Sequence, residues 1–313
     1  MKNRNENEVV VVTGAGAGLG RATVREFARH GASVGLIARG EDRLEAASSE
    51  VEQAGGRALA CPADVADADA LEAAAERIET ELGPIAVWVN VAMTTVFSFF
   101  TAISANDFKR VTEVTYLGNV NGTRTALKRM QPRNRGTIVQ VGSALAYRSV
   151  PLQSAYCGAK HAIQGYTESL RSELLHAKSR VHLCIVEMPA LNTPQFDWCK
   201  NNLPHQARPV APVFQPEVGA RAIYWAAHHH RRQLYVGSST VKAIWGNKFV
   251  PGLLDHMLVS AVDGQQTGKR ESSQQPHNLH EPLAGDVGAH GRFDDESKGR
   301  SFQLWLATHL LPY

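Results

Sequence analysis

The chain has 313 residues, of which 43% are hydrophobic and 20% charged, and a net charge of +3. That suits a globular protein able to bury a large core, and it gives no grounds for a nucleic acid or an anionic membrane as partner. No apolar run is long enough to span a bilayer, and four scattered cysteines with no CxxC pair (Cys61, Cys157, Cys184, Cys199) read as reduced thiols of a cytoplasmic protein.

Residues 1–8 are short and polar, with no apolar leader region, and read as a disordered N-terminus. Val9–Thr13 then supplies four valines in a row. A glycine-rich turn follows (Gly14, Gly16, Gly18, Gly20), and a helix-like segment runs from Arg21 to His30. Strand, turn and helix in that order make a dinucleotide-binding unit: the glycines let the backbone approach a pyrophosphate, and the helix N-terminus offers N–H groups and a positive dipole end.

Further strands are predicted at Ser33–Ala38, Arg57–Pro62, Ala86–Val89, Gly136–Val141, Val181–Glu187 and Gln233–Gly237. Helical patterns lie between them at Asp42–Ala54, Asp67–Leu82, Asn106–Arg129 and Ser154–Ala177. Such alternation predicts an α/β fold, a doubly wound parallel sheet (Rossmann fold) in a single domain over residues 9–262. Composition shifts after about Leu258. Residues 263–300 are rich in Gly, Gln, Ser, His and Asp and cannot build a core of their own. The extension 263–313 is therefore expected to be an extended arm that ends in an apolar docking segment, Ser301–Leu311, seated on this subunit or a neighbour.

Tyr156 and Lys160 stand four apart near the start of a helix and so share one face. Ser143 follows the strand ending at Val141, at the carboxyl edge of the sheet, where such folds bind ligands. A phenol titrates near 10, too high for exchange at neutral pH; a neighbouring ammonium favours the phenolate, and a serine hydroxyl can hold a substrate oxygen beside it. The set suits proton transfer coupled to hydride transfer at a carbonyl or alcohol carbon. No metal is called for: His228-His229-His230-Arg231-Arg232 reads as a solvated turn, because consecutive residues of a regular element cannot all face one ion.

Over about residues 8–240 the chain resembles the classical short-chain dehydrogenases/reductases. The likeness rests on Thr13-Gly14-x-x-x-Gly18-x-Gly20, Asp64-Val65, Ser143 and Tyr156-x-x-x-Lys160. It implies that Tyr156 is the acid/base, that Ser143 orients the substrate carbonyl, and that Lys160 lowers the Tyr156 pKa and holds the nicotinamide ribose. It also implies cofactor contacts at Thr13, Gly14, Gly16, Gly18, Leu19, Gly20, Asp64, Val65, Asn90, Ala92, Tyr156, Lys160, Pro189 and Thr193, and assembly as a homodimer or homotetramer through the helices 106–129 and 154–177. Two positions depart from the pattern. The family's Asn-Asn-Ala-Gly is Asn90-Val91-Ala92-Met93 here, and its catalytic Asn aligns with Thr115, whose hydroxyl is expected to hold the relay water less rigidly.

The second strand ends Ile37-Ala38-Arg39-Gly40. Ala38 cannot bind ribose hydroxyls as an acid would, whereas Arg39 can pair with a 2′-phosphate, so NADP is favoured over NAD, with Arg21 as a helper. A partly aromatic lid over 194–213, with Phe196, Trp198, Leu203, Val210 and the adjoining Phe214, points to a hydrophobic small-molecule carbonyl or alcohol substrate. These readings make the chain an NADP(H)-dependent oxidoreductase, a ketoreductase. The rival reading is a non-catalytic NADP(H)-binding sensor or interaction protein of the same fold. A nucleotide-sugar epimerase of the extended branch fits less well, because that branch spaces its glycines differently.

Overall fold

The structure, a computed structural model, describes residues 8–270 and 275–310. Seven parallel strands form the central sheet: β1 (Val9–Thr13), β2 (Ser33–Ala38), β3 (Ala58–Pro62), β4 (Ile85–Asn90), β5 (Thr137–Ser143), β6 (His182–Met188) and β7 (Gln233–Tyr235). Their order is β7-β6-β5-β4-β1-β2-β3. The winding reverses between β1 and β4, the switch point at which such sheets open a crevice beyond their carboxyl ends. The doubly wound α/β domain expected from the alternating pattern is present, as a Rossmann-like fold.

Both faces of the sheet are covered. Along β1, Val10 and Val12 enter one apolar cluster and Val9 and Val11 the other, the period-two alternation of a strand buried on both sides. The first cluster is closed by α1 (Gly18–Arg29), α2 (Glu41–Gln53) and α7 (Pro216–His228), and the second by α3 (Ala68–Leu82), α5 (Gly118–Arg133) and α6 (Ser154–His176). Helix α3 starts where the Asp67 carboxylate accepts from the Asp69 and Ala70 amides and stops at Gly83. The helix expected over Asn106–Arg129 is not one regular rod. It runs as α4 (Ala105–Val111), a π-helical turn over Thr112–Leu117, and α5; such turns are common beside functional sites. Strand β5 extends two residues further than its pattern suggested, so Ser143 is its last residue rather than part of the following loop.

Glu8 belongs to the fold: its carbonyl accepts from the Ser33 amide and its carboxylate meets His228 at 3.1 Å. Residues 1–7 lie outside the described residues.

Beyond β7 come α8 (Ser238–Phe249) and α9 (Pro251–Met257), and then the C-terminal arm. The arm forms a strand, Gln266–Arg270, against His205–Ala207, and residues 275–293 cross the carboxyl edge of the sheet. It adds a two-residue strand, Ser297–Lys298, beside Val213–Phe214, and ends in α10 (Phe302–His309). The apolar docking segment is seated on this subunit, with Leu304 and Ala307 in the core while Phe302 and Trp305 face outward; its last residue, Leu311, lies outside the described residues.

Arg21 of α1 is fully buried and ties three parts of the fold together. Its Nε lies 2.8 Å from Glu50 Oε2, and its Nη1 donates to the carbonyls of Arg43 (2.9 Å) and Gly16 (3.3 Å) and reaches Asp286 of the arm at 3.4 Å. It therefore shapes the glycine turn from behind rather than lining the cavity as a cofactor helper. Burial would raise the Glu50 carboxyl, but hydrogen bonds from Arg25 and Arg21 outweigh it and hold the group at about 2. A depressed carboxyl stabilises the fold above its unfolded value of 4.5, and that stability disappears as the pH falls toward about 2. Thermal melts at pH 5, 4 and 3 should show a steeper loss for the wild type than for Glu50→Gln.

Candidate active site

A cavity of about 470 Å³ lies at the carboxyl edge over β1, β4 and β5. The glycine turn forms its floor. Gly14 has φ +71°, open to glycine at little cost, and an added Cβ would stand 2.9 Å from the Ala92 Cα. At Gly20 an added Cβ would sit 2.0 Å from the Gly14 carbonyl oxygen, so only glycine lets α1 start this close to the turn. This cradle, with Leu19 and Gly20 of the first helical turn lining the cavity, fits a nicotinamide dinucleotide: close backbone, helix N-terminal donors and no side chain in the way.

Ser143, Tyr156 and Lys160 meet in the same cavity. β5 delivers Ser143 at its tip and α6 delivers the other two from successive turns. Lys160 is buried; its Nζ donates to the Val141 carbonyl at 2.7 Å and stands 5.5 Å from the Tyr156 ring centre. Burial lowers Lys160 to about 8, with the Glu187 carboxylate pulling it back up. Burial raises the Tyr156 phenol above its ordinary value, and the Ser143 hydroxyl beside it works in the opposite direction.

Of the other residues expected at the cofactor, Gly16, Gly18, Arg39, Asp64, Val65, Ala92, Pro189 and Thr193 also line the cavity. Thr13 and Asn90 do not. The Thr13 hydroxyl receives the Val91 and Ala92 amides (3.1 and 3.3 Å) and so joins the tips of β1 and β4. The Asn90 side chain is buried behind the wall, bonded to Trp88 Nε1 at 2.8 Å, Thr123 Oγ1 at 3.1 Å and Gln140 Oε1 at 2.9 Å.

Thr115 also lies off the cavity, within the π-helical turn. Its buried hydroxyl donates to the Thr94 carbonyl at 2.9 Å and accepts from the Thr94 amide at 3.0 Å. A hydroxyl has one proton to donate, and here that proton goes to the backbone. Thr115 thus pins the loop after β4, whose residues Met93, Thr94 and Thr95 face the cavity.

The arm closes the β2 end of the groove, which composition did not reveal. Both amino nitrogens of Arg39 donate to arm carbonyls, Nη1 to His280 at 2.7 Å and Nη2 to Asn278 at 2.5 Å. Arg43 Nε donates to the Gly285 carbonyl at 2.9 Å, and the Gly18 amide to that of Gly288 at 3.0 Å. Arg43 also stacks on Trp198, 4.4 Å from its ring centre, and its Nη2 is buried without a hydrogen bond. Asp64 is already engaged: it accepts from the Ala66 amide at 3.0 Å and pairs with Arg110. Of the expected lid, Phe196, Trp198 and Val210 line the cavity, whereas Leu203 packs with Phe97 beneath it and Phe214 joins the main core.

The comparison with known families decides the identity. The short chain dehydrogenase family matches residues 8–198, more than half of the chain. The chain belongs to the short-chain dehydrogenase family. Among curated proteins this short-chain dehydrogenase is 31% identical to an uncharacterized oxidoreductase, YxnA, of Bacillus subtilis (strain 168) over 257 residues, 82% of this chain and 72% of that one. It is 31% identical to a 3-dehydrosphinganine reductase of Danio rerio over 213 residues (66% and 64% of the two chains). With a 2,3-dihydro-2,3-dihydroxybenzoate dehydrogenase of Bacillus subtilis (strain 168) it shares 32% over 180 residues (58% and 68%). The chain is an oxidoreductase of this family. Among the described residues, no helix is long and apolar enough to cross a membrane, and no group of three or more His, Cys, Asp or Glu is placed to hold a metal ion.

Proposed function

We propose that this oxidoreductase prefers NADP(H) and interconverts a carbonyl and an alcohol, with Tyr156 as acid/base. The observation that carries this reading is the convergence of Ser143, Tyr156 and Lys160 on the cavity floored by the glycine turn. A nicotinamide dinucleotide, when held there, would supply the hydride for the carbonyl carbon or accept it from the alcohol. Ser143 holds the substrate oxygen against the phenol, and Tyr156 gives that oxygen its proton in reduction and removes it in oxidation. Lys160, as an ammonium, stabilises the phenolate left behind and binds the nicotinamide ribose. Leu19 and Gly20 would hold the pyrophosphate, and Ala92, Pro189 and Thr193 would hold the nicotinamide half.

The NADP preference is supported by two guanidiniums, Arg39 and Arg43, at the end of the groove where Ala38 replaces an acid. Arg39 keeps a donor hydrogen on each amino nitrogen beyond the one given to the arm, and Arg43 Nη2 has no partner. Arg39→Asp should weaken NADPH binding by about 1–3 kcal/mol while leaving NADH binding little changed. Fluorescence titration with both nucleotides checks this, and equal NADPH affinity in the variant removes the argument. The largely apolar wall formed by Phe196, Trp198 and Val210 favours a hydrophobic substrate. Four cysteines that are scattered and buried, with no CxxC pair, suit a reducing compartment, the cytoplasm.

We also propose a homodimer or homotetramer through α5 and α6, whose outer faces share a shallow depression lined by Val120, Leu127, Tyr166 and Leu170; light scattering that gives a monomer mass at micromolar concentration rejects it. The activity is tested by following NADPH oxidation with a panel of aldehydes, ketones, quinones and diketones. A non-catalytic NADP(H)-binding role is favoured by one observation, the engagement of the Thr115 hydroxyl with the Thr94 backbone. It predicts tight NADPH binding with no turnover on any member of the panel.

A further inference from the structure

Glu187 is a carboxylate in the interior of the sheet. It sits one residue from the end of β6, wholly buried, paired across the sheet with Gly142 and so next to Ser143. An added Cβ on Gly142 would stand 2.1 Å from Glu187 Oε2; glycine at 142 is what gives the carboxylate its room. Oε1 accepts from Gln233 Nε2 at 2.8 Å and from the Tyr147 hydroxyl at 3.3 Å. Oε2 is buried without a hydrogen bond. The titratable groups that face the carboxylate are Tyr147 from the turn after β5, Tyr235 on β7, and Tyr156 and Lys160 on α6. Lys160 is the cation among them, and its Nζ is bonded to the carbonyl of Val141, the residue before the Gly142 that pairs with Glu187.

A buried ammonium is costly without an opposite charge, and a neutral carbonyl such as that of Val141 does not supply one. We propose that Glu187 is the counter-charge of Lys160, a positioning residue that keeps the lysine an ammonium and thereby sets the pH range in which Tyr156 exchanges its proton. This rests on the reading of Tyr156 and Lys160 as the acid/base pair. Glu187 acts through its field, which the low dielectric of the interior preserves. The same field disfavours the Tyr156 phenolate, so losing the carboxylate should make both groups give up their protons at lower pH. Burial brings the two partners close together: Glu187 is raised to about 7 and Lys160 lowered to about 8.

The test is an NMR titration of the full chain carrying lysine labelled with ¹³C at Cε, with the Lys160 signal assigned by its loss in Lys160→Arg. In Glu187→Gln, which keeps the shape and the bonds from Gln233 and Tyr147, the Lys160 midpoint should fall by about one pH unit. In Glu187→Asp, which keeps the charge, it should fall by clearly less. If Glu187→Gln does not fold, Glu187→Met, apolar and similar in length, replaces it in the same comparison. An unchanged midpoint without the carboxylate overturns the proposal, and so does an equal fall in the charged and uncharged variants, which marks a packing effect. No substrate enters the titration, so a failure here is distinguishable from a failure of the proposed activity. Once an alcohol substrate is in hand, the pH profile of its oxidation should shift to lower pH in Glu187→Gln.

Discussion

Tyr156→Phe should lower turnover by about 10²–10⁴-fold, the usual contribution of a positioned general acid, with NADPH affinity unchanged. The variant retains the ring that lies against Lys160 and removes only the oxygen that faces Ser143. Running the carbonyl panel on both proteins, with nucleotide binding followed by fluorescence, separates the two quantities. Full activity in the variant would remove Tyr156 from the chemistry and leave the family's fold serving another acid.

The second large effect is on stability. Arg21→Met should cost about 1–3 kcal/mol, the range for leaving buried acceptors without a donor. Arg21 is 1% exposed, and its loss leaves the Glu50 carboxylate with one partner fewer and removes a donor from the Arg43 and Gly16 carbonyls. The same change at Arg25, which binds Glu50 from a side chain 30% exposed, should cost about 1 kcal/mol or less. Urea unfolding of the two variants measures the contrast. Similar costs would mean that Arg21's burial, rather than its bonds, has been misjudged as the source of its importance.

The sheet and the pairing of Tyr156 with Lys160 were legible in the sequence because both rest on side-chain periodicity. Four consecutive valines in β1 announce two buried faces, and Tyr156 and Lys160 four apart announce one helix face. What was not legible depends on the backbone or on sequence-distant partners. Residues 275–293 hold Arg39, Arg43 and Gly18 through main-chain carbonyls, and every residue has a carbonyl, so composition is silent on such contacts. Arg21 had the charge of a phosphate ligand, and only its burial behind the turn shows that it serves the protein itself. Asn90 and Thr115 sit at the family's positions, yet their hydrogen bonds go to Trp88, Thr123 and Gln140 in one case and to the Thr94 backbone in the other. Glu187 looked like the polar end of a strand; the glycine that makes room for it, Gly142, is 45 positions earlier.

The strapped groove also has a bearing on how the protein is made. Arg39 and Arg43 bond to carbonyls 239 to 242 positions further along the chain. Contacts of that separation carry the largest loop-closure cost and tend to form after local ones. A chain emerging from the ribosome can pair β1 to β7 and seat the glycine turn while residues 278–288 are still unmade. The two arginines at the β2 end of the groove are thus among the first residues synthesised and among the last to receive their partners.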